Sequence, residues 1–169
     1  PSSLLPTPGS TCLYLGAGHG TSLSHIHDQV CGIDNQKNGR IIAVDLSPRC
    51  LRDLVHLASL RPGLVPVLGD ARKHSAWGIM VASKVDWLLQ DVSQAGQAEI
   101  FINAVKRFLK KGGKGLLSLK AASERFNEGG EREVFQNVRD QLEDAGLNIE
   151  EQIDLHGLED NHCLYFVTN

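Results

Sequence analysis

Cys12-Leu13-Tyr14-Leu15-Gly16-Ala17-Gly18-His19-Gly20-Thr21 decides how the rest of the chain is read. An apolar run ends in a Gly-x-Gly-x-Gly loop, and a new element starts directly after it. A strand that turns through glycines into a helix makes the floor of a nucleotide or cofactor site, because the turn brings backbone N–H groups to the ligand.

Working outward, the pattern alternates. Leu13–Leu15 reads as a strand, preceded by a Pro/Gly/Ser-rich lead-in over residues 1–10. Thr21–Val30 reads as a helix with Thr21 or Ser22 as its early cap. Ile41–Val44 is a continuous apolar run of the kind buried on both faces of a parallel sheet, and it ends at Asp45. Ser47-Pro48 starts a helix that Arg61-Pro62-Gly63 stops, and Leu64–Leu68 is a third strand ending at Gly69-Asp70. A weak helix or loop covers Ala71–Ala82, and Val85–Leu89 is a fourth strand ending at Gln90-Asp91.

Ala95–Leu109 is a strongly amphipathic helix, with Lys110-Lys111-Gly112-Gly113 as its stop. Gly115–Leu119 is a fifth strand ending at Lys120, and Glu131–Ala145 is another helix stopped by Gly146. Leu147–Leu155 and Cys163–Val167 are joined by the polar loop Gly157–His162, with no helix between them, so they pair antiparallel. The expected fold is α/β: a doubly wound, mostly parallel, seven-stranded sheet closed by a C-terminal antiparallel hairpin, in a single domain over residues 1–169.

The bulk properties exclude several classes. Hydrophobic residues make up 41% and charged residues 22% of 169, ordinary for a globular protein. No apolar run approaches the roughly 20 residues of a membrane span, and the first ten residues lack the charge and apolar core of a signal peptide. They read instead as the cut end of a larger protein. The net charge of −3 argues against a domain that holds nucleic acid alone on a broad basic face. The cysteines, at positions 12, 31, 50 and 163, form no Cys-x-x-Cys pair and read as reduced thiols. His25 and His27 point in different directions on a helix, so no metal site is expected from them.

Ligands of open parallel sheets bind beyond the carboxyl ends of the strands. Those ends carry Gly16-Ala17-Gly18, Asp45, Asp70, Asp91 and Lys120. Asp45, at the end of the second strand, suits ribose hydroxyls; a solvated strand-end carboxylate is the alternative. Asp70 suits an adenine amino group, or else caps the helix after it. The third glycine falls one residue early for a dinucleotide loop, and together with the hairpin and Asp70 this favours S-adenosylmethionine over a nicotinamide cofactor. Asp91 and Lys120 end neighbouring strands and read as a reacting-centre pair. In methyl transfer, an in-line displacement, Lys120 would stabilise charge developing on an acceptor oxygen. The alternative is a surface ion pair. His162, by spacing alone, is an ordinary loop histidine.

Leu13-Tyr14-Leu15-Gly16-Ala17, Gly20-Thr21, Val44-Asp45-Leu46-Ser47, Arg52-Asp53-Leu54, Pro66-Val67-x-x-Asp70-Ala71-Arg72, Asp91-Val92-x-Gln94, Leu109-x-x-Gly112-Gly113 and Ser118-x-Lys120-Ala121, in this order, resemble the fibrillarin family. These are RNA 2′-O-methyltransferases of box C/D ribonucleoproteins. The resemblance implies that Gly16, Ala17, Gly18, Gly20, Thr21, Asp45, Leu46, Asp70, Ala71, Asp91 and Gln94 contact S-adenosylmethionine. It also implies that Asp91, Lys120 and His162 form the methyl-transfer site. It further implies a Nop-domain scaffold protein, a box C/D guide RNA, ribosomal RNA as substrate, and a nuclear, nucleolar location. His19 stands where the family usually has a small serine, and Asp45 where it usually has glutamate. The other readings are methyl transfer to a protein side chain or another nucleic-acid position, and a non-catalytic ribonucleoprotein subunit that keeps the fold for docking.

Overall fold

The computed structural model describes residues 4–124, 130–157 and 161–169. Its strands are β1 Thr11–Leu15, β2 Arg40–Asp45, β3 Leu64–Leu68, β4 Val85–Gln90, β5 Leu109–Lys120, β6 Asn148–Asp154 and β7 His162–Thr168. Its helices are α1 Thr21–Val30, α2 Pro48–Leu60, the single turn α3 His74–Trp77, α4 Gln97–Phe108 and α5 Gly130–Asp144. The strands form one seven-stranded sheet in the order β3-β2-β1-β4-β5-β7-β6. β1 to β5 run parallel, and β7 lies antiparallel between β5 and β6. The loop expected over Gly157–His162 falls partly on residues 158–160, outside the described residues.

Alternation along each central strand builds two cores. Leu13, Leu15, Ile42, Val44 and Leu88 face one side and pack with Trp77, with Phe101 and Phe108 of α4, and with Phe135 and Leu142 of α5. Cys12, Tyr14, Ile41, Ala43, Trp87 and Leu89 face the other and pack with Leu23, Ile26 and Val30 of α1 and Leu54 of α2. Both faces of the middle strands are therefore dry, as a parallel sheet covered by helices requires.

Three local expectations are corrected. Neither Thr21 nor Ser22 caps α1: the cap position is Gly20, left-handed at φ 93°, with no side-chain cap. A Cβ on Gly20 would sit 2.7 Å from Leu57 Cδ2, so the third glycine lets α1 start against α2. Lys110–Gly113 is not a loop after the α4 helix. β5 begins at Leu109, and its pairing with β4 jumps from Val85–Leu109 to Trp87–Lys114, which absorbs the extra residues as a bulge. Gly112 N donates to Asn169 O at 2.7 Å and Asn169 N to Gly113 O at 3.1 Å, so the end of the chain fastens that bulge. Helix α4 also begins two residues later than its pattern suggests, at Gln97.

Ser47 does cap α2 as expected: its Oγ accepts from Cys50 N, with Pro48 in the first turn.

Candidate functional site

The strand order reverses between β1 and β4, and there the connections leave to opposite sides of the sheet. Such a switch point opens a crevice at the strands' carboxyl ends. Gly16 makes it narrow: a Cβ there would lie 2.0 Å from the carbonyl oxygen of Asp91, and φ is 82°. Asp91 N donates to Leu15 O at 2.9 Å, which locks the two strand ends together.

Beyond this junction lies a cavity of about 340 Å³, lined by Gly16, Gly18, Val44, Asp45, Leu46, Gly69, Ala71, Asp91, Val92, Ser93 and Gln94. Cofactor pockets generally have about this size or more. Seven of the residues singled out from the sequence converge here: Gly16, Gly18, Asp45, Leu46, Ala71, Asp91 and Gln94. Four others lie elsewhere. Ala17 is buried in the core beneath α1 and α2, Gly20 faces α2, and Thr21 is exposed at the start of α1.

Asp70, the fourth, sits just behind the cavity wall. Its carboxylate accepts from Arg72 Nη2 at 2.8 Å, from Arg72 N at 2.9 Å and from Gln94 Nε2 at 3.0 Å. These donors, Arg72 foremost, hold the Asp70 carboxyl well below the usual carboxylate range against the opposing effect of burial. Asp70 therefore orients Gln94, which lines the cavity. It makes an Asx turn with Arg72 rather than a helix cap, since the next helix, α3, begins only at His74.

Asp45 holds the opposite wall. Its Oδ2 accepts from Gly18 N and its Oδ1 from Ser47 N, both at 2.8 Å. Each oxygen keeps a further lone pair for an incoming hydroxyl. Under the loop, burial pushes the Tyr14 hydroxyl up to about 12; the Asp91 and Asp45 carboxylates add to this, and a Ser22 hydrogen bond opposes it. Tyr14 is thus a neutral prop beneath an acidic rim.

Lys120 ends β5, the strand beside β4; Gln90 pairs with Leu117, so Lys120 lies two residues beyond the level of Asp91. Across the antiparallel pair it stands directly opposite His162, the first residue of β7. Directly opposed residues have Cβ atoms about 5 Å apart on one face. The sheet itself therefore brings His162 to Lys120, which loop spacing alone did not reveal.

Sequence reasoning missed the group that fixes Lys120. Gln97, fully buried at the start of α4, accepts from Lys120 N at 3.0 Å and donates to Lys120 O at 2.9 Å. Glu124 in turn accepts from Gly96 N at 3.0 Å and from Gln97 N at 2.9 Å, capping α4 from the segment after β5. The signal was present: Gln97 shares the α4 stripe of Phe101, Ala104 and Phe108, and a polar residue on an apolar stripe marks a buried hydrogen bond.

The family model described as fibrillarin matches residues 3–169. The chain belongs to the fibrillarin family. A fibrillarin-like rRNA/tRNA 2′-O-methyltransferase of Thermococcus gammatolerans is 41% identical over 160 residues, covering 95% of this chain and 67% of the relative. Aeropyrum pernix fibrillarin, solved with natively bound S-adenosyl-L-methionine, superposes at a TM-score of 0.80 with 32% identity, covering 96% of this chain and 67% of that one. A fibrillarin/Nop5p complex matches at a TM-score of 0.83 with 30% identity, covering 95% of this chain and 73% of that one. The sheet accordingly has the α/β architecture of S-adenosylmethionine-dependent methyltransferases. The chain spans about two thirds of the length of the curated relatives it matches.

Proposed function

We propose that this fibrillarin-family chain transfers a methyl group from S-adenosylmethionine to ribose 2′-hydroxyls of RNA, ribosomal RNA in particular. The observation that carries the reading is the placement of Asp91 on a cavity walled by Asp45, Gly18 and Gln94, at the end of the strand adjacent to the one that Lys120 ends. The cavity fits the cofactor's chemistry: glycines without side chains on its floor, a carboxylate for ribose hydroxyls, and the amide of Gln94 on the far wall.

S-adenosylmethionine, when bound, supplies an electrophilic methyl group. The chain's own residues do the rest. The Asp45 carboxylate takes ribose hydroxyls while it holds Gly18 in place. The Lys120 ammonium orients the acceptor hydroxyl and stabilises the negative charge that grows on its oxygen as the proton leaves. Asp91 lies on the same rim as a second proton-accepting or orienting group, and His162 supports Lys120 from the neighbouring strand. The main contribution is alignment, since the displacement must run in line.

The acidic net charge suits an enzyme whose RNA affinity comes from partners. A Nop-domain scaffold protein and a box C/D guide RNA fill that role in this reading, supported by the family relative solved in complex with Nop5p. In a nucleated cell the same reading implies a nucleolar location, which fluorescence microscopy of the tagged chain tests.

The deciding experiment is methyl transfer from radiolabelled S-adenosylmethionine to a guided RNA, with the scaffold protein added. Transfer to the 2′-hydroxyl opposite the guide is expected. Label on protein, or on a base, would instead support the other acceptors. Full activity of Lys120→Ala and Asp91→Ala would overturn the assigned roles.

A further inference from the structure

His19, in the glycine loop, lies outside the cavity of the proposed cofactor site and makes contacts of its own. Its Nδ1 lies 2.6 Å from Asp53 Oδ2, and its Nε2 lies 3.7 Å from Cys50 Sγ. Asp53 is held ionised: the His19 hydrogen bond, with Arg52 beside it, keeps its carboxyl below the usual range. A carboxylate only accepts, so Nδ1 donates to Asp53, and in the neutral ring it is Nε2 that faces the thiol with a lone pair. Cys50 sits in the first turn of the 13-residue helix α2, its own N–H tied to Ser47 Oγ. The other three cysteines are buried, and Cys50 is partly open to solvent.

Acid, imidazole and thiol are thus arranged in series, on the open rim beside Gly18 rather than in a cleft. The imidazole is 58% and the Asp53 carboxylate 41% exposed. An acyl substrate would need a pocket and oxyanion donors, whereas exchange with a small disulfide needs only access to the sulfur. Arg49 and Arg52, exposed on the first turns of the same helix though on other sides of it than the thiol, add positive charge within about a Debye length and favour an anionic partner.

We propose that Cys50 is a thiol–disulfide exchange site for small anionic disulfides, with His19 as its base and Asp53 orienting His19. The Cys50 proton passes to His19 Nε2. Sγ attacks one sulfur of the disulfide, a new S–S bond to Cys50 forms, and the original S–S bond breaks. The departing thiolate takes the proton back from His19, so the step balances without a further oxidant.

The test is intact-mass and peptide mapping of the native chain with oxidised glutathione at neutral pH. One adduct is expected, on Cys50, reversed by dithiothreitol and absent in Cys50→Ser. His19→Gln and Asp53→Asn, both changes of exposed side chains, should each slow its formation by about tenfold or more. Cystamine, a cationic disulfide, should react more slowly than glutathione disulfide. Labelling of Cys12, Cys31 or Cys163 instead, equal rates in the His19 and Asp53 variants, or faster reaction with cystamine would overturn the proposal. The readout is mass, so it stands or falls separately from methyl transfer.

Discussion

Gly18 N donates to Asp45 Oδ2 at 2.8 Å, across the 27 residues that separate the glycine loop from the end of β2. The same carboxylate accepts from Ser47 N through its other oxygen. One side chain therefore sets both the loop and the entry to α2. Asp45→Ala strands two backbone donors. We expect a stability loss of about 1–3 kcal/mol, the usual cost of unpaired groups of this kind, together with at least tenfold weaker binding of S-adenosylmethionine. Thermal melts and calorimetry measure the two effects. Asp45→Glu should restore much of the binding but less of the stability, because the longer side chain cannot hold both N–H groups without moving the loop. Equal cofactor affinity in Asp45→Ala would remove the carboxylate from the site.

Gly16 meets the β4 end from the other side. Its φ of 82° is costly for any residue with a Cβ, by about 1–2 kcal/mol. The 2.0 Å approach to the Asp91 carbonyl adds a clash with backbone, which has little freedom to retreat. Gly16→Ala should therefore destabilise the chain by more than the φ penalty alone, and Gly18→Ala by less, since nothing lies within 4 Å of a Cβ there. Urea unfolding of the two variants decides. Similar losses would mean that the loop relaxes freely around position 16.

These relationships explain what the sequence could and could not tell. The middle strands and their alternation with helices were legible because Ile41–Val44 and its counterparts in β1 and β4 are dry on both faces and carry no conflicting signal. The strand ends were legible because charged groups cluster where apolar runs stop. By pattern the third glycine belongs to a ligand floor, yet Gly20 is turned toward Leu57; only the packing of α1 on α2 reveals this. His162 was obscure because its meaning comes from antiparallel register with Lys120, a long-range pairing that no local pattern encodes. The bulged start of β5 was hidden for the same reason: Lys110–Gly113 has every local mark of a helix stop, and the pairing of Gly112 and Gly113 with Asn169 overrides it.

Asp70 makes the fold sensitive to acid in a defined range. Its carboxyl is only 10% exposed and is held below its ordinary value, chiefly by Arg72. The unfolded chain takes up this proton near pH 4, well before the folded one does. The stabilisation is therefore complete above about pH 4 and is lost as pH falls toward the folded value. Urea unfolding from pH 6 to pH 2.5 should show Asp70→Asn less stable than the natural chain at pH 6, with the gap closing as pH drops. A constant gap would assign the loss to shape rather than to ionisation.

Gln97 supplies the last prediction, because it separates binding from chemistry. Its carboxamide holds both main-chain groups of Lys120, and Glu124 holds Gln97. Neither residue lines the cavity. Gln97→Ala leaves the Lys120 N–H and C=O without their buried partner, and a stability loss of about 2 kcal/mol is expected from groups of this kind. The strand end then loses its fixed position, and with it the aim of the Lys120 side chain. The rate of methyl transfer at saturating cofactor should fall by tenfold or more, while the affinity for S-adenosylmethionine changes little. Gln97→Glu preserves the acceptor toward Lys120 N but sets a carboxylate against Lys120 O and Glu124, so it should not rescue the rate. Glu124→Gln keeps an acceptor for Gln97 N but sets an amide NH2 against Gly96 N; it leaves the Gln97 contacts to Lys120 in place and should be the mildest of the three. Single-turnover kinetics beside calorimetry measures the split. If Gln97→Ala weakened cofactor binding and left the rate intact, the clamp would serve the cavity rather than Lys120.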